Sequence, residues 1–365
     1  MHETHVPLLD PFPGRTPPWI SLAHTPHRTL PDLGPEVLAT VASSALSDEP
    51  WVTREDRSLL WWPHRFAQRI TVSEPRDALD CATVCVRAET TIVEEIPAEM
   101  YEESSGLVDE IVTGLGWYFG VGMSAWVSDP EKRTLSLVTT GYAHEGNRPF
   151  LSAIATAITA QALEADAYAD KCASALGGRP ACSQHPQHGR RTEPAAALEN
   201  LRTLLHLRQA GSAFEGSTWE ATTSVPWLLK VDRGGCFVGE LPYTGTTPSL
   251  SQQLCGEPYV TAVVTLDATA VHPVLGRGMA AELRLPGEDD SEDAANLAAA
   301  LNRTEATTLT GVPLMGMWWP MPGSGWPLRY SSFIPSILGM PGMAAATAFY
   351  LYLRLTWARH HLIDL

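Results

Sequence analysis

The pattern of apolar and polar positions along the first half of the chain predicts short helices and strands in a regular order. Apolar residues recur at helical spacing in three stretches, of which 150–172 is the longest and is rich in alanine. Runs of β-branched and aromatic residues predict strands, and the turn signal at 129–132 predicts a hairpin. The predicted elements are helix 36–46, strands 59–72 and 83–96, helix 105–115, hairpin strands 116–127 and 135–140, and helix 150–172.

The second half repeats this order. Its predicted elements are helix 195–209, strands within 219–241 and 259–271, a helix from the acidic loop 286–293 through Asn302, hairpin strands 315–321 and 328–334, and helix 342–361. Segment 83–93 matches 261–271 at four positions and places Glu89 opposite Asp267, and segment 135–140 parallels 328–332. We therefore predict an internal duplication.

Four regions follow from this organisation. Residues 1–30 are rich in proline and histidine and predict an irregular arm, and 173–194 contains the Gly-, Pro- and His-rich run typical of a linker. The predicted modules are 31–172 and 195–365. We expect an α+β fold in which each module has an antiparallel sheet with helices packed on one face, in the order α-βββ-α-ββ-α.

Composition and charge narrow the function classes. Hydrophobic residues make up 44% and charged residues 18%, which predicts packed globular modules. The formal net charge of −16 and the absence of a dense basic patch argue against nucleic acid as a partner.

The chain also lacks the usual signals for export and membrane insertion. Its first residues have no continuous apolar core, so we expect a cytoplasmic protein with reduced cysteines. Pro335 and Pro341 interrupt the uncharged stretch 333–353, and the remaining 12 residues are too short to span a bilayer. We therefore expect no membrane partner.

No linear motif indicates catalysis, a metal or a cofactor. Cys172, Cys182, His185 and His188 are the cluster with metal-ligating residue types, but the spacing lacks the paired ligands typical of zinc, and we favour a linker that happens to contain them. A Gly-x-Ser-x-Gly elbow and a phosphate-binding P-loop are absent. We assign no catalytic residue, no metal ligand and no cofactor.

An aromatic set in the second module is the candidate partner-binding site. It consists of Trp318, Trp319, Trp326, Tyr330 and Phe333, and methionines 315, 317, 321, 340 and 343 lie nearby. On an exposed hairpin these side chains would form an adaptable apolar surface. The alternative is that they pack in the core.

The second module carries a resemblance at the level of pattern. The segments concerned are 294–302, 316–319, 328–335 and the helix that runs to Arg359. The chain is acidic and its order of elements occurs twice, and this order resembles the fold of type III secretion chaperones and of related bacterial proteins. The resemblance implies protein binding without chemistry. The chain departs from that family because those chaperones are short homodimers, whereas this chain would be a fused pair with an N-terminal arm.

The sequence therefore leaves three hypotheses open. The leading one is a non-enzymatic binding protein of chaperone, adaptor or immunity type that holds a partner polypeptide on apolar sheet surface. The second is an enzyme with a site at the junction of the modules, which convergence of His144, Glu145, Asp267 and His272 would support. The third is a structural subunit of a larger assembly.

Overall fold

The computed structural model describes the chain in twelve stretches. They are residues 31–45, 49–78, 81–102, 107–144, 148–207, 230–231, 236–242, 261–286, 291–308, 310–321, 327–339 and 343–363. The predicted arm 1–30, Glu145, Trp326 and Met340 lie outside them.

The first half is an antiparallel sheet with helices. Its helices are α1 (Gly34–Ala45), α2 (Glu99–Glu102), α3 (Leu107–Phe119) and α4 (Arg148–Leu176). Its strands are β1 (Val52–Glu55), β2 (Ser58–Trp61), β3 (Gln68–Val72), β4 (Arg76–Ala78), β5 (Cys81–Glu94), β6 (Ala125–Asp129), β7 (Thr134–His144) and β8 (Arg179–Pro180). The strands pair in the order β1-β2-β3-β5-β7-β6, and β4 and β8 also pair with β5.

The second half has a sheet with the same path. Its helices are α5 (Ala196–Leu207), α6 (Ser291–Thr307) and α7 (Met343–Ile363). Its strands are β9 (Lys230–Val231), β10 (Cys236–Pro242), β11 (Thr261–Asp267), β12 (Val271–His272), β13 (Gly276–Leu285), β14 (Met317–Pro320) and β15 (Leu328–Pro335). They pair in the order β9-β10-β11-β13-β15-β14, and β12 pairs with β13.

The α+β class predicted from the sequence is confirmed, and duplication stays a prediction. Segments 135–140 and 328–332 lie in β7 and β15, which occupy the same place in the two paths. The two segments of the other proposed match lie in strands that do not correspond, since 83–93 is in the fourth strand of the first sheet's path and 261–267 is in the third strand of the second sheet's path. Alternating valines and threonines suit any half-buried strand, so they do not identify one strand among several.

The core of the first half lies between α4 and the sheet, where α4 packs on β5 and β7. A buried polar cluster crosses this apolar layer. The side-chain amide of Gln161 donates to the Ala88 carbonyl and to Thr139 Oγ1, and its Oε1 accepts from Gln68 and Thr90. Because the Gln161 amide is fully paired, its burial is compensated, and the cluster fixes how α4 sits on the sheet.

The segment predicted as a linker lies on the first sheet instead. Residues 173–176 belong to α4, and β8 pairs with the end of β5. Backbone amides further along donate to the first half: Ala181 to Ile92, Ser183 to Arg65 and Ala195 to Pro63. These hydrogen bonds hold the segment against β5 and against the loop between β2 and β3, so it is not a free spacer.

Candidate binding cavity between the two halves

The two halves contact each other through corresponding elements. Helix α6 packs on β6 and against α3, and the edge strands β6 and β14 also touch. Both α3 and α6 precede the hairpin of their own half, so the α3–α6 and β6–β14 contacts join corresponding elements, whereas the α6–β6 contact does not. Hydrogen bonds cross it from the Thr140 amide to the Leu314 carbonyl at 3.0 Å and from the Phe333 amide to the Gly122 carbonyl at 3.1 Å.

A cavity of about 60 Å³ lies at this junction. The first half contributes Met123 and Ala153 to its walls. From the second half come mainly apolar and aromatic side chains, among them Met315, Tyr330, Ile334, Leu338, Met343, Tyr350 and Leu351, together with Arg354. Met315 and Tyr350 are half-buried, whereas Met123, Tyr330 and Arg354 are buried, so the cavity extends from near the surface into the core.

The inner end of the cavity is built on a buried ion pair. The side chains of Arg354 and Glu305 are 2% and 1% exposed, and Arg354 Nη2 donates to Glu305 Oε2 at 2.8 Å. Arg354 also donates to the Pro313 carbonyl, and the indole of Trp318 donates to Glu305 Oε1 at 2.6 Å. Burial acts most strongly and lowers the pKa of Arg354, but the charge and hydrogen bonds of Glu305 together with the nearby Tyr330 and Tyr142 outweigh it, and the pKa is raised.

Tyr330 lies against this pair. The Arg354 guanidinium carbon is 3.7 Å from the centre of the Tyr330 ring, which places the cation over the ring face. Burial raises the pKa of Tyr330, so its hydroxyl is neutral at physiological pH. The charges at this end of the cavity therefore compensate each other, and the Tyr330 ring presents an uncharged wall.

The opposite wall is the segment 120–124, which leads from α3 into β6. Glu164 of α4 holds it: Oε1 accepts the Met123 amide at 3.0 Å, and the Ser124 hydroxyl also donates to the carboxylate. Complete burial raises the pKa of Glu164 to about 7, and these two hydrogen bonds partly oppose the rise. A β-carbon on Gly122 would lie 1.9 Å from Glu164 Oε1, so only glycine permits this approach.

The predicted aromatic site is placed in the core. Trp318, Trp319, Tyr330 and Phe333 are 0, 7, 1 and 3% exposed. Tyr330 lines the cavity and Trp318 bonds the ion pair behind it, whereas the Trp319 indole donates to Ser331 Oγ at 2.8 Å. The alternative of core packing therefore describes these four side chains, because β14 and β15 are covered by α6 and the first half.

Of the methionines near the predicted aromatic site, some line the cavity and one is buried in the core. Met315 and Met343 line the cavity, and Met317 is buried in β14. The groups that sequence reasoning missed are Met123, Ala153, Glu164, Glu305 and Arg354. The signal available in the sequence was Arg354, a charge that follows the uncharged run 343–353; Glu164 has Asp166 close by and gave no such signal.

The residues considered for a junction enzyme are engaged in local turns. Asp267 Oδ1 accepts the amide and the hydroxyl of Thr269, and His272 Nδ1 accepts the amides of Val274 and Leu275. Burial lowers the pKa of His272 to about 4, against a smaller raising effect of the Gly120 backbone. His144 is in β7 with its side chain outside the described part of the structure, as is Glu145, so convergence of the four residues stays a hypothesis.

The cysteine and histidine cluster forms an aromatic contact. The His185 and His188 rings stack with centroids 4.7 Å apart, and the Trp62 ring meets His185 edge-on at 4.5 Å. His185 Nδ1 accepts the amides of Gln187 and His188, so this ring nitrogen is used within the local turn. Within the described stretches no group of three or more His, Cys, Asp or Glu side chains is placed to hold a metal ion.

Comparisons of the chain with protein-family models, with curated proteins and with solved structures found no match. The resemblance to type III secretion chaperones therefore stays a prediction. In the part of the chain that the structure describes, none of the helices is both long and apolar enough to cross a membrane.

Proposed function

We propose that this chain is a non-enzymatic protein-binding protein, of chaperone, adaptor or immunity type, that holds a partner polypeptide by one aliphatic side chain. The observation that carries the proposal is the apolar cavity between the halves. Two of its wall residues, Met315 and Met343, are unbranched and polarisable, and such side chains adapt to different apolar ligands. In this proposal the partner is held in a small inward-facing pocket and not on the exposed apolar surface expected from the sequence.

The size of the cavity favours an aliphatic side chain over an aromatic one. A dry apolar cavity of roughly 150 Å³ in a known engineered protein holds a benzene ring. The space here is about 60 Å³, which suits the branched end of leucine or isoleucine. Burying one such side chain contributes about 1.5–3 kcal/mol, enough to anchor a segment whose backbone makes further contacts.

The negative net charge of this chain favours a partner in which the bound aliphatic side chain lies within a basic segment. The chain carries 41 acidic against 25 basic residues, a formal net charge of −16. A field of this sign raises the association rate of cationic polypeptides and repels acidic ones. We therefore expect a partner segment with an aliphatic residue flanked by lysine or arginine.

A cavity-filling variant tests this proposal. Ala153→Leu adds three carbon atoms to a wall residue of the cavity, whereas Ala175→Leu makes the same change on an exposed position of the same helix. Tagged wild type and both variants are used to capture polypeptides from host lysate at moderate salt, and circular dichroism checks that each is folded. We expect a stoichiometric polypeptide on wild type and on Ala175→Leu that is lost from Ala153→Leu.

Two results would contradict the proposal. One is a partner that binds all three proteins equally, because the cavity would then play no part in binding. The other is a folded wild type that captures no stoichiometric polypeptide even at low salt.

A further inference from the structure

Glu164 connects three features of the cavity wall. Its Oε1 accepts the Met123 amide, and Met123 lines the cavity. The neighbouring Gly122 carbonyl accepts the Phe333 amide, so the same segment is also bonded to the second half. The carboxylate therefore holds a segment that faces the cavity on one side and bonds the other half of the molecule.

The carboxyl group is buried in an unusual state. Glu164 is 1% exposed, and its Oε2 has no hydrogen-bond partner among the described residues. A buried carboxylate oxygen without a partner is costly, and that cost is smaller when the group is protonated. The geometry thus places a carboxyl group with two accessible protonation states behind the cavity wall.

We propose that Glu164 is a positioning residue for the cavity, and that its protonation state sets how firmly the 122–124 segment holds a bound side chain. The inference rests on the proposed function. When ionised, the carboxylate accepts the Met123 amide through a charge-assisted hydrogen bond and fixes the wall. When protonated, it is a weaker acceptor, and the wall is held less firmly.

The surroundings of Glu164 support a titration near neutral pH. Its pKa is raised to about 7 by burial. Tyr168, one turn along α4, is the titratable group beside it, and burial raises the pKa of that phenol, so it stays neutral. His272 faces Gly120 from the second half, and its pKa is lowered to about 4 by burial, so it also stays neutral above pH 6. Ser124 and Thr139 supply hydroxyl groups that do not titrate.

Methyl NMR of the full-length, ligand-free protein tests the first step. Met123 labelled at its ε-carbon reports on the wall, and Met100 in α2 serves as a control. We expect the Met123 resonance to titrate with a midpoint near pH 7 in wild type and to be constant in Glu164→Gln. Ser124→Ala removes a donor to the carboxylate, so it should move the midpoint to higher pH even if Glu164→Gln does not fold.

Peptide binding tests the second step. The probe is an acetylated lysine-rich nonapeptide with a central leucine, and the same peptide with a central alanine is its control. We expect wild type to bind the leucine peptide about fivefold more tightly at pH 8 than at pH 6, the difference between a charged and a neutral acceptor for one hydrogen bond. Glu164→Gln should bind it equally at both pH values.

The outcomes separate this inference from the proposed function. A Met123 resonance that does not titrate in wild type, or that titrates unchanged in Glu164→Gln, overturns the role of Glu164. So does leucine-peptide binding that is equal at pH 6 and pH 8. Equal binding of the leucine and alanine peptides at both pH values contradicts the proposed function instead. In that case the Met123 titration still decides whether Glu164 positions the wall.

Discussion

Replacing Arg354 with methionine removes the cation at the inner end of the cavity and leaves its partner buried. Glu305 is 1% exposed, and the Trp318 indole is the donor that would still bond it. The Pro313 carbonyl would lose its donor as well. Arg354→Met therefore leaves a buried charge and a buried carbonyl without adequate partners.

The expected cost follows from these contacts. Removing one member of a buried ion pair typically costs about 3–5 kcal/mol, because the remaining charge stays desolvated without compensation. Glu305→Gln should cost a similar amount, because it leaves the buried Arg354 cation without its charged partner. In the double variant neither charge remains, so we expect the two effects to fall short of additive by about 2–3 kcal/mol.

Urea unfolding followed by tryptophan fluorescence and circular dichroism measures these free energies. Arg202→Met is the matched control, since Arg202 pairs with Glu199 on the exposed face of α5 and such pairs contribute about 0–1 kcal/mol. A cost below about 1 kcal/mol for Arg354→Met, or strictly additive single effects, would show that the pair is not buried and coupled as described.

Two further changes test the wall of the cavity. Gly122→Ala should lower the melting temperature markedly, because the new β-carbon would clash with Glu164 Oε1. Gly114→Ala places its β-carbon in open space within α3, so it should stabilise the protein by about 0.5–1 kcal/mol. Equal effects at the two positions would refute the close approach of Gly122 to Glu164. The folded-state pKa of Glu164 is about 7 against an ordinary value of 4.5, so the folded state binds the extra proton and wild-type stability should fall by about 3 kcal/mol as pH rises from 4.5 through 7. Chemical denaturation at pH 5 and pH 8 checks this, and a Glu164→Gln variant with an undiminished slope would assign the effect to another group.

The long elements were predictable because their signal is local. Helix 150–172 was predicted, and α4 runs from Arg148 to Leu176; the closing helix 342–361 corresponds to Met343–Ile363. The hairpin around 129–132 was also placed at the right turn. The signal is an apolar period of 3.6 residues for α4, an uncharged run for α7 and a turn motif for the hairpin.

Shorter elements were mispredicted for identifiable reasons. The extended stretch expected over 59–72 contains two strands, β2 and β3, and Pro63 between them has no amide for a ladder. The first hairpin strand was expected from residue 116, but α3 continues to Phe119 through Gly114 and Gly116, and β6 begins at Ala125. Glycine lowers helix propensity by only about 1 kcal/mol, which tertiary packing overrides here.

The cavity could not be predicted from the sequence because its walls come from distant segments. Met123 and Met315 are separated by nearly 200 positions and meet only when the two halves pack. Glu164 and Arg354 were visible as charged residues within predicted helices, but their partners depend on the tertiary contacts. The aromatic set was recognised as unusual, and its placement in the core follows from the covering of β14 and β15 by α6 and the first half.

The joining of two similarly built halves in one polypeptide has a consequence for how such a molecule can change. Two separate chains that associate through a twofold axis must repeat every pocket, and they separate on dilution. A covalent connection keeps the halves at a high effective concentration at any expression level. Each half is also free to accumulate substitutions that its counterpart does not share. Met123 and Ala153 on one side and Tyr330, Met343 and Arg354 on the other form an asymmetric cavity of a kind that a pair of identical subunits could not build on its axis.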